Sequence, residues 1–233
     1  MEKLIAVENV KKSYGSKVVL DGVSFTADRS QIIGLLGPNG CGKTTLIKTL
    51  TGLIKDYQGT IKIDGQAPGP YTKSIVAYLS ENNYLPDWMR PMNAINYFAD
   101  FFKDFDKEKA IKMTEQFGLD MKQRMKTMSK GQKEKLRLLL VLCRKAQLYI
   151  LDEPLGGVDP AARAKILDLI LENHTKDSTI LLSTHLISDV EYIFDRVLMI
   201  NQGHLIVNEE VAHIREKGNT VENVFKEVFK NAW

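Results

Sequence analysis

Apolar residues recur along the chain first with a strand period, then with a helix period, and then with the two in alternation. Runs at residues 4–10, 18–27 and 31–36 are rich in Val, Ile, Leu and Phe, and the pattern predicts three β-strands. The third runs into a glycine-rich stretch and then an apolar helix over 43–53. Residues 59–63 and 74–79 predict further strands. From about 92 to 146 the spacing becomes helical; Leu136, Leu139, Leu140 and Cys143 stand at i, i+3, i+4 and i+7 and share one face. Strand–helix alternation then resumes with a buried strand at 148–151. Asp159 predicts a helix cap with Pro160 at the first helical position, and Ala162, Ile166, Leu169 and Ile170 form the inner stripe of that helix. Residues 179–183 predict a strand, and 196–200 with 205–207 a hairpin around Gln202-Gly203. Val221, Val224, Phe225, Val228 and Phe229 carry a helical stripe read as packing. The whole predicts an α/β core, opened by β-rich segments and interrupted by a helical subdomain at about 92–146.

Composition narrows the function classes. A chain of 233 residues with 44% hydrophobic and 26% charged residues is an ordinary folded composition, sized for one domain with a subdomain. A net charge of +3 is too small to argue for a nucleic-acid partner. No apolar run approaches the ~20 residues that a membrane helix needs, and the opening Met1-Glu-Lys-Leu has no apolar signal region. A cytoplasmic location is expected, with any membrane role supplied by a separate spanning partner. Cys41 and Cys143 make no disulfide framework, and His174, His185, His204 and His213 show no metal-ligand spacing.

The chemistry concentrates in two segments. Gly37-Pro38-Asn39-Gly40-Cys41-Gly42-Lys43-Thr44, followed by Thr45, fits G-x-x-x-x-G-K-[ST] with a strand before it and a helix after it. Glycines let the backbone curl so that successive N–H groups face phosphate oxygens, and the helix N-terminus adds partial positive charge. Lys43 is placed to reach the β- and γ-phosphates of ATP, and the Thr44 hydroxyl to ligate Mg²⁺. Cys41, among those amides, is expected to have a lowered thiol pKa and to be reachable by thiol reagents. The second segment is an apolar strand ending in Asp152-Glu153. In phosphate-loop enzymes the first acid holds the metal, and the second can orient or deprotonate the attacking water.

Met128-Ser-Lys-Gly-Gln132, just upstream of that acidic pair, resembles the Leu-Ser-Gly-Gly-Gln signature of ATP-binding cassette (ABC) proteins. The other motifs of that family follow in order over nearly the whole chain. Tyr14 resembles the aromatic that stacks on adenine, Gly156-Gly-Val-Asp159 the loop that couples two sites, and His185 the switch histidine that senses the γ-phosphate. The resemblance implies a phosphate-loop NTPase (RecA-like) core with an N-terminal antiparallel β subdomain and an inserted helical subdomain. It implies two cassettes, identical or not, closing head to tail on two Mg·ATP, with Ser129, Gly131 and Gln132 of one meeting the γ-phosphate held by the other. It also implies a transmembrane permease subunit as partner, on the inner face of the cell membrane, as in bacterial export-type systems. A cassette ATPase with no membrane partner, of the iron–sulfur assembly type, is the alternative. Residues 82–91, with Leu85, Trp88 and Met89, are expected to offer an apolar docking surface. Three positions depart from the family pattern: Glu81 stands where a metal-binding Gln is usual, Lys130 replaces the first signature glycine, and Gly156 replaces Ser. Residues 121–145 hold nine basic side chains against one acid, Glu134, read mostly as a solvated face.

Overall fold

The computed structural model describes residues 3–230. Strands β1 (Lys3–Tyr14) and β2 (Lys17–Asp28) form an antiparallel pair, and β4 (Gln58–Ile63) joins the other edge of β1. Between them come β3 (Ile32–Leu36) and α1 (Lys43–Leu50). Helix α2 (Pro70–Ile75) leads into β5 (Val76–Leu79), so residues 74 and 75, expected as strand, end a helix. Pro70 at its first turn explains that start, because a proline N–H would be orphaned there anyway.

Helices α3 (Pro91–Phe101), α4 (Lys107–Gln116) and α5 (Lys130–Leu142) follow, and then β6 (Leu148–Asp152), α6 (Pro160–Asn173), β7 (Thr179–Ser183) and the short α7 (Ile187–Val190). The chain continues through β8 (Arg196–Asn201), β9 (His204–Glu210), α8 (Val211–Glu216) and α9 (Val221–Val228). The larger sheet has the order β5-β6-β7-β3-β8-β9, parallel except for β9. Its β8–β9 turn is the expected hairpin: Gln202 and Gly203 both have positive φ, 45° and 82°, as a two-residue primed turn requires.

Each parallel strand is buried on both faces, which is why it reads as continuous apolar sequence. In β3, Ile32 and Leu36 pack with helices α5 to α9, whereas Ile33 and Leu35 pack with α1 and the antiparallel sheet. The same alternation holds in β6, where Tyr149 and Leu151 face one way and Leu148 and Ile150 the other. Gly34 has a packing cause, since a Cβ there would stand 2.7 Å from the Phe194 ring. A third apolar cluster lies among α3, α4 and α5.

Helix α5 departs from its one-faced prediction. Leu136, Leu139, Leu140 and Cys143 do share a face, in the helical cluster, but Leu138, Val141 and Leu142 are buried against the parallel sheet. The helix is thus a joint between two cores. In α6, Ile166 and Ile170 are buried and Leu169 is partly buried, while the side chain of Ala162 lies outside the described set. The tail stripe packs on the main core through Val221, Val224, Phe225 and Phe229; Val228 is exposed instead.

Candidate functional site

The site forms where β3, β6 and β7 end, the edge at which open parallel sheets bind ligands. After Leu36 the loop turns through Gly37 (φ 154°), Gly40 (φ 78°) and Gly42 (φ 116°) before α1 begins. A Cβ at Gly37 would lie 2.3 Å from the Ile200 carbonyl, and one at Gly42 2.8 Å from that of Val19, so neither tolerates a side chain. Lys43 is buried and folds back over the loop, its Nζ donating to the carbonyls of Gly37 at 2.7 Å and Pro38 at 3.1 Å. A bound anion would compete for those three ammonium protons. Asn39 and Gly40 are exposed at the loop tip, and Thr44 and Thr45 are half-buried.

Cys41 overturns its expectation. Its side chain belongs to the core between α1 and the antiparallel sheet, and burial raises its thiol pKa, outweighing the nearby Lys43 charge. Its N–H donates to Pro38 at 3.3 Å and its carbonyl accepts from Gly203 at 3.1 Å, so it braces the loop from within.

The acids are placed by strand register. Asp152 pairs with Ser183 across β6 and β7, and the Ser183 hydroxyl donates to Asp152 Oδ1 at 2.6 Å. The other oxygen, Oδ2, is buried with no hydrogen-bond partner among the described residues. Burial raises the Asp152 pKa; the Ser183 and Thr44 hydroxyls and Lys43 oppose the rise, and Glu81 adds to it. Glu153 adopts left-handed backbone, φ 52°, which costs a non-glycine residue about 1–3 kcal/mol and persists only where the surroundings impose it. Here its N–H is held at 3.1 Å by both the carbonyl and the hydroxyl of Ser183. Its carboxylate meets His185 Nδ1 at 2.8 Å, and its pKa is raised by burial against the opposing pull of His185. Glu153 is mostly buried, whereas the His185 side chain is 56% exposed.

Lys43, Thr44, Thr45, Glu81, Asp152 and Glu153 line one depression of about 300 Å³. An adjoining cleft of about 670 Å³ is lined by Asn39, Glu81, Lys130, Glu153, Gly157 and His185, among others. No group of three or more His, Cys, Asp or Glu side chains among the described residues could enclose a metal. A Mg²⁺ ion needs no such group, because it takes one or two carboxylates and completes its shell with phosphate and water oxygens. The orphaned Asp152 Oδ2 beside Thr44 is the oxygen such a shell would use.

The structure does not bring the signature segment into the phosphate-loop depression. Ser129 caps α5: its Oγ accepts from the Gln132 N–H at 3.2 Å, and the Gln132 side chain accepts from the Ser129 N–H at 2.8 Å. Gly131 has open space around it, and the Lys130 side chain lies over Gly157, whose added Cβ would meet Lys130 Cε at 2.9 Å. Tyr14 ends β1, 52% exposed, with Lys12 Nζ 4.9 Å from its ring centroid. Asp159 precedes α6 and accepts the Arg163 N–H at 3.0 Å through its carbonyl.

A separate apolar groove of about 410 Å³ lies between α1, β5 and α3, lined by Leu50, Leu53, Tyr78, Tyr84, Tyr97 and Phe102 among others. Leu53, Tyr84 and Tyr97 expose their side chains there, and Trp88 and Phe101 are also exposed. Leu85 and Met89, expected at the surface, are instead buried in the helical core. The basic region is likewise not uniformly solvated, because Arg137 and Arg144 are buried. Sequence reasoning missed the parts played by Ser183 and Arg137. Arg137 had a signal, a single charge inside the apolar run from Leu136 to Cys143; Ser183 is visible only once β6 and β7 are paired.

A family model described as ABC transporter matches residues 20–156. An uncharacterized ABC transporter ATP-binding protein of Bacillus subtilis is 34% identical over 210 residues, covering 88% of this chain and 68% of that protein. The linearmycin resistance ATP-binding protein of the same organism is 30% identical over 211 residues, covering 87% of this chain and 68% of that protein. The chain thus spans about two thirds of the length of both. A solved structure of an ATP-binding subunit of an ABC transporter aligns with a TM-score of 0.86 at 28% identity, over 96% of this chain and 98% of that one.

Proposed function

Since the chain belongs to the ABC transporter family, as its ATP-binding subunit, we propose that it hydrolyses Mg·ATP at the 37–45 loop to drive transport through a separate membrane subunit. The observation that carries the hydrolytic reading is the juxtaposition of a buried lysine loop, the orphaned Asp152 oxygen and the strained Glu153 in one depression.

In this reading the loop amides and Lys43 hold the triphosphate, Lys43 giving up its two carbonyl contacts in exchange for phosphate oxygens. Thr44, Asp152 and Glu81 would hold Mg²⁺, which would supply electrostatic stabilisation of the transferring phosphoryl group. Glu153 accepts a proton from the attacking water; burial and a raised pKa suit a general base. His185 orients that carboxylate from the solvent side and would contact the γ-phosphate. Tyr14 offers an exposed aromatic face for adenine.

The second half of the site comes from another cassette. Ser129 stands exposed and Gly131 and Gln132 half-buried at the start of α5, where a helix N-terminus favours an anion, and Asp159 lies in the loop that would face the partner. The apolar groove around Tyr84 and Tyr97 supports a membrane partner that docks a helix there, placing this chain on the inner face of the membrane. No helix among the described residues is long and apolar enough to cross a membrane itself. Relatives named as transporter ATP-binding proteins weigh against the iron–sulfur assembly alternative. The described chain then serves as one cassette domain, with 92–146 as its helical subdomain.

The test is equilibrium ATP binding and phosphate release by the parent and by Lys43→Ala. Loss of one charge-assisted contact should weaken ATP binding by about 1.5–3 kcal/mol. A Lys43→Ala protein that binds and hydrolyses ATP as the parent does would refute the assignment.

A further inference from the structure

We propose that Arg137 is a positioning residue that holds the Glu81 turn in place for Mg·ATP; this rests on the ATP-site reading above. Arg137 sits in the middle of α5 and is only 1% exposed. Its guanidinium gathers three consecutive carbonyls just past β5: Nη1 donates to Glu81 at 3.3 Å, and Nη2 donates to Asn82 at 2.8 Å and also to Ser80. Nη1 further donates to Glu134 Oε2 at 2.9 Å, and the group lies over the Tyr84 ring, 5.6 Å from its centroid.

Helix packing alone does not call for this residue. Its neighbours on α5 are leucines, and an aliphatic side chain would fill the space without burying a charge. The fold even leaves the Arg137 Nε without a partner among the described residues. What the arginine adds is a planar fork that can hold several acceptors in one plane, which a lysine ammonium cannot reproduce. With the carbonyls of 80–82 directed at Arg137, the Glu81 side chain is left to line the depression that holds Thr44 and Asp152. The same arginine ties that turn to the helix capped by Ser129, so the metal-facing residue and the signature segment share one rigid element.

The readout is Mg²⁺-dependent binding of a fluorescent ATP analogue, titrated with Mg²⁺, alongside thermal unfolding. In Arg137→Lys we expect a folded protein whose Mg²⁺-free nucleotide affinity matches the parent. Its Mg²⁺ midpoint should rise about 10- to 100-fold, the usual cost of losing a group that supports a metal ligand. Arg137→Met should show at least as large a rise; if it does not fold, Arg137→Lys alone decides the matter. A midpoint unmoved in Arg137→Lys, while Glu81→Ala shifts it, overturns the positioning role. A Glu81→Ala protein indistinguishable from the parent likewise overturns it, since Glu81 would then hold no metal, whereas a parent whose nucleotide binding ignores Mg²⁺ overturns the Mg·ATP reading itself.

Discussion

At the carboxyl ends of β3 and β6 polar groups are buried with capacity unspent. Asp152 Oδ2 has no partner among the described residues, Lys43 is turned onto carbonyls of its own loop, and Glu153 is held in a conformation that most residues avoid. At the start of α5 the opposite holds. Ser129 is exposed and Gln132 half-buried, the two satisfy each other in a capping box, and Gly131 has open space around it. The first region is assembled within one chain, its polar groups gathered around one depression. The second is a stable helix start that needs nothing more for folding and can meet a phosphate only if something brings one to it. That asymmetry is what a site divided between two subunits requires of each half.

The largest effect should come from the assembled half. Glu153→Gln keeps the shape and removes the base, so phosphate release should fall by about 10²–10⁴ while ATP still binds. Near-normal turnover would remove Glu153 from the chemistry. Ser129→Ala probes the other half. Its ATPase rate should fall by about one to two orders of magnitude through loss of one bond to a charged phosphate, with ATP affinity of the single protomer unchanged. The lost cap should also cost about 0.5–2 kcal/mol in thermal or denaturant unfolding. Weaker ATP binding by isolated Ser129→Ala protomers would erase the distinction between the halves.

A subtler consequence follows from burial. The Asp152 pKa is raised above its ordinary value of 3.8, so the folded nucleotide-free protein binds that proton more tightly than the unfolded chain does. This acid's contribution therefore falls as pH rises from 3.8 through its raised folded value, and above that the buried charge is a net cost. Asp152→Asn should unfold at a higher temperature than the nucleotide-free parent at about pH 8, with the gap closing toward acid pH. A variant less stable than the parent at both ends of that range would show that Asp152 is not held at a cost. Smallest of all is the effect at Cys41. Its buried, pKa-raised thiol should label slowly in the folded protein and fast in denaturant, in a time course followed by mass spectrometry. Fast labelling that blocks ATP binding would return Cys41 to the loop surface.

Local signals in both regions were legible in the sequence, and what tertiary packing adds to them was not, for physical reasons. Strands buried on both faces read as unbroken apolar runs, and glycines forced into positive φ stand at fixed spacing before Lys43. Both are local signals. The double burial of α5 is a tertiary fact, since a helix caught between two cores shows a clear stripe for only one of them. Leu85 and Met89 looked like surface because the helices that cover them come later in the chain. Cys41 was misread because a helix N-terminus acts on a thiol only if the side chain faces it, and here it faces the core. The support that Ser183 gives Asp152 depends on the pairing of β6 with β7, which no local pattern states.

The division of the site is tested most directly by the mass of Glu153→Gln in solution, measured by size-exclusion chromatography with light scattering, with and without saturating Mg·ATP. With hydrolysis blocked, the protein should pass from monomer to dimer when Mg·ATP is added, and Ser129→Ala in the same background should weaken that dimer. A Glu153→Gln protein that is saturated with ATP and remains monomeric at every concentration tested would contradict the claim that the two halves meet around the nucleotide.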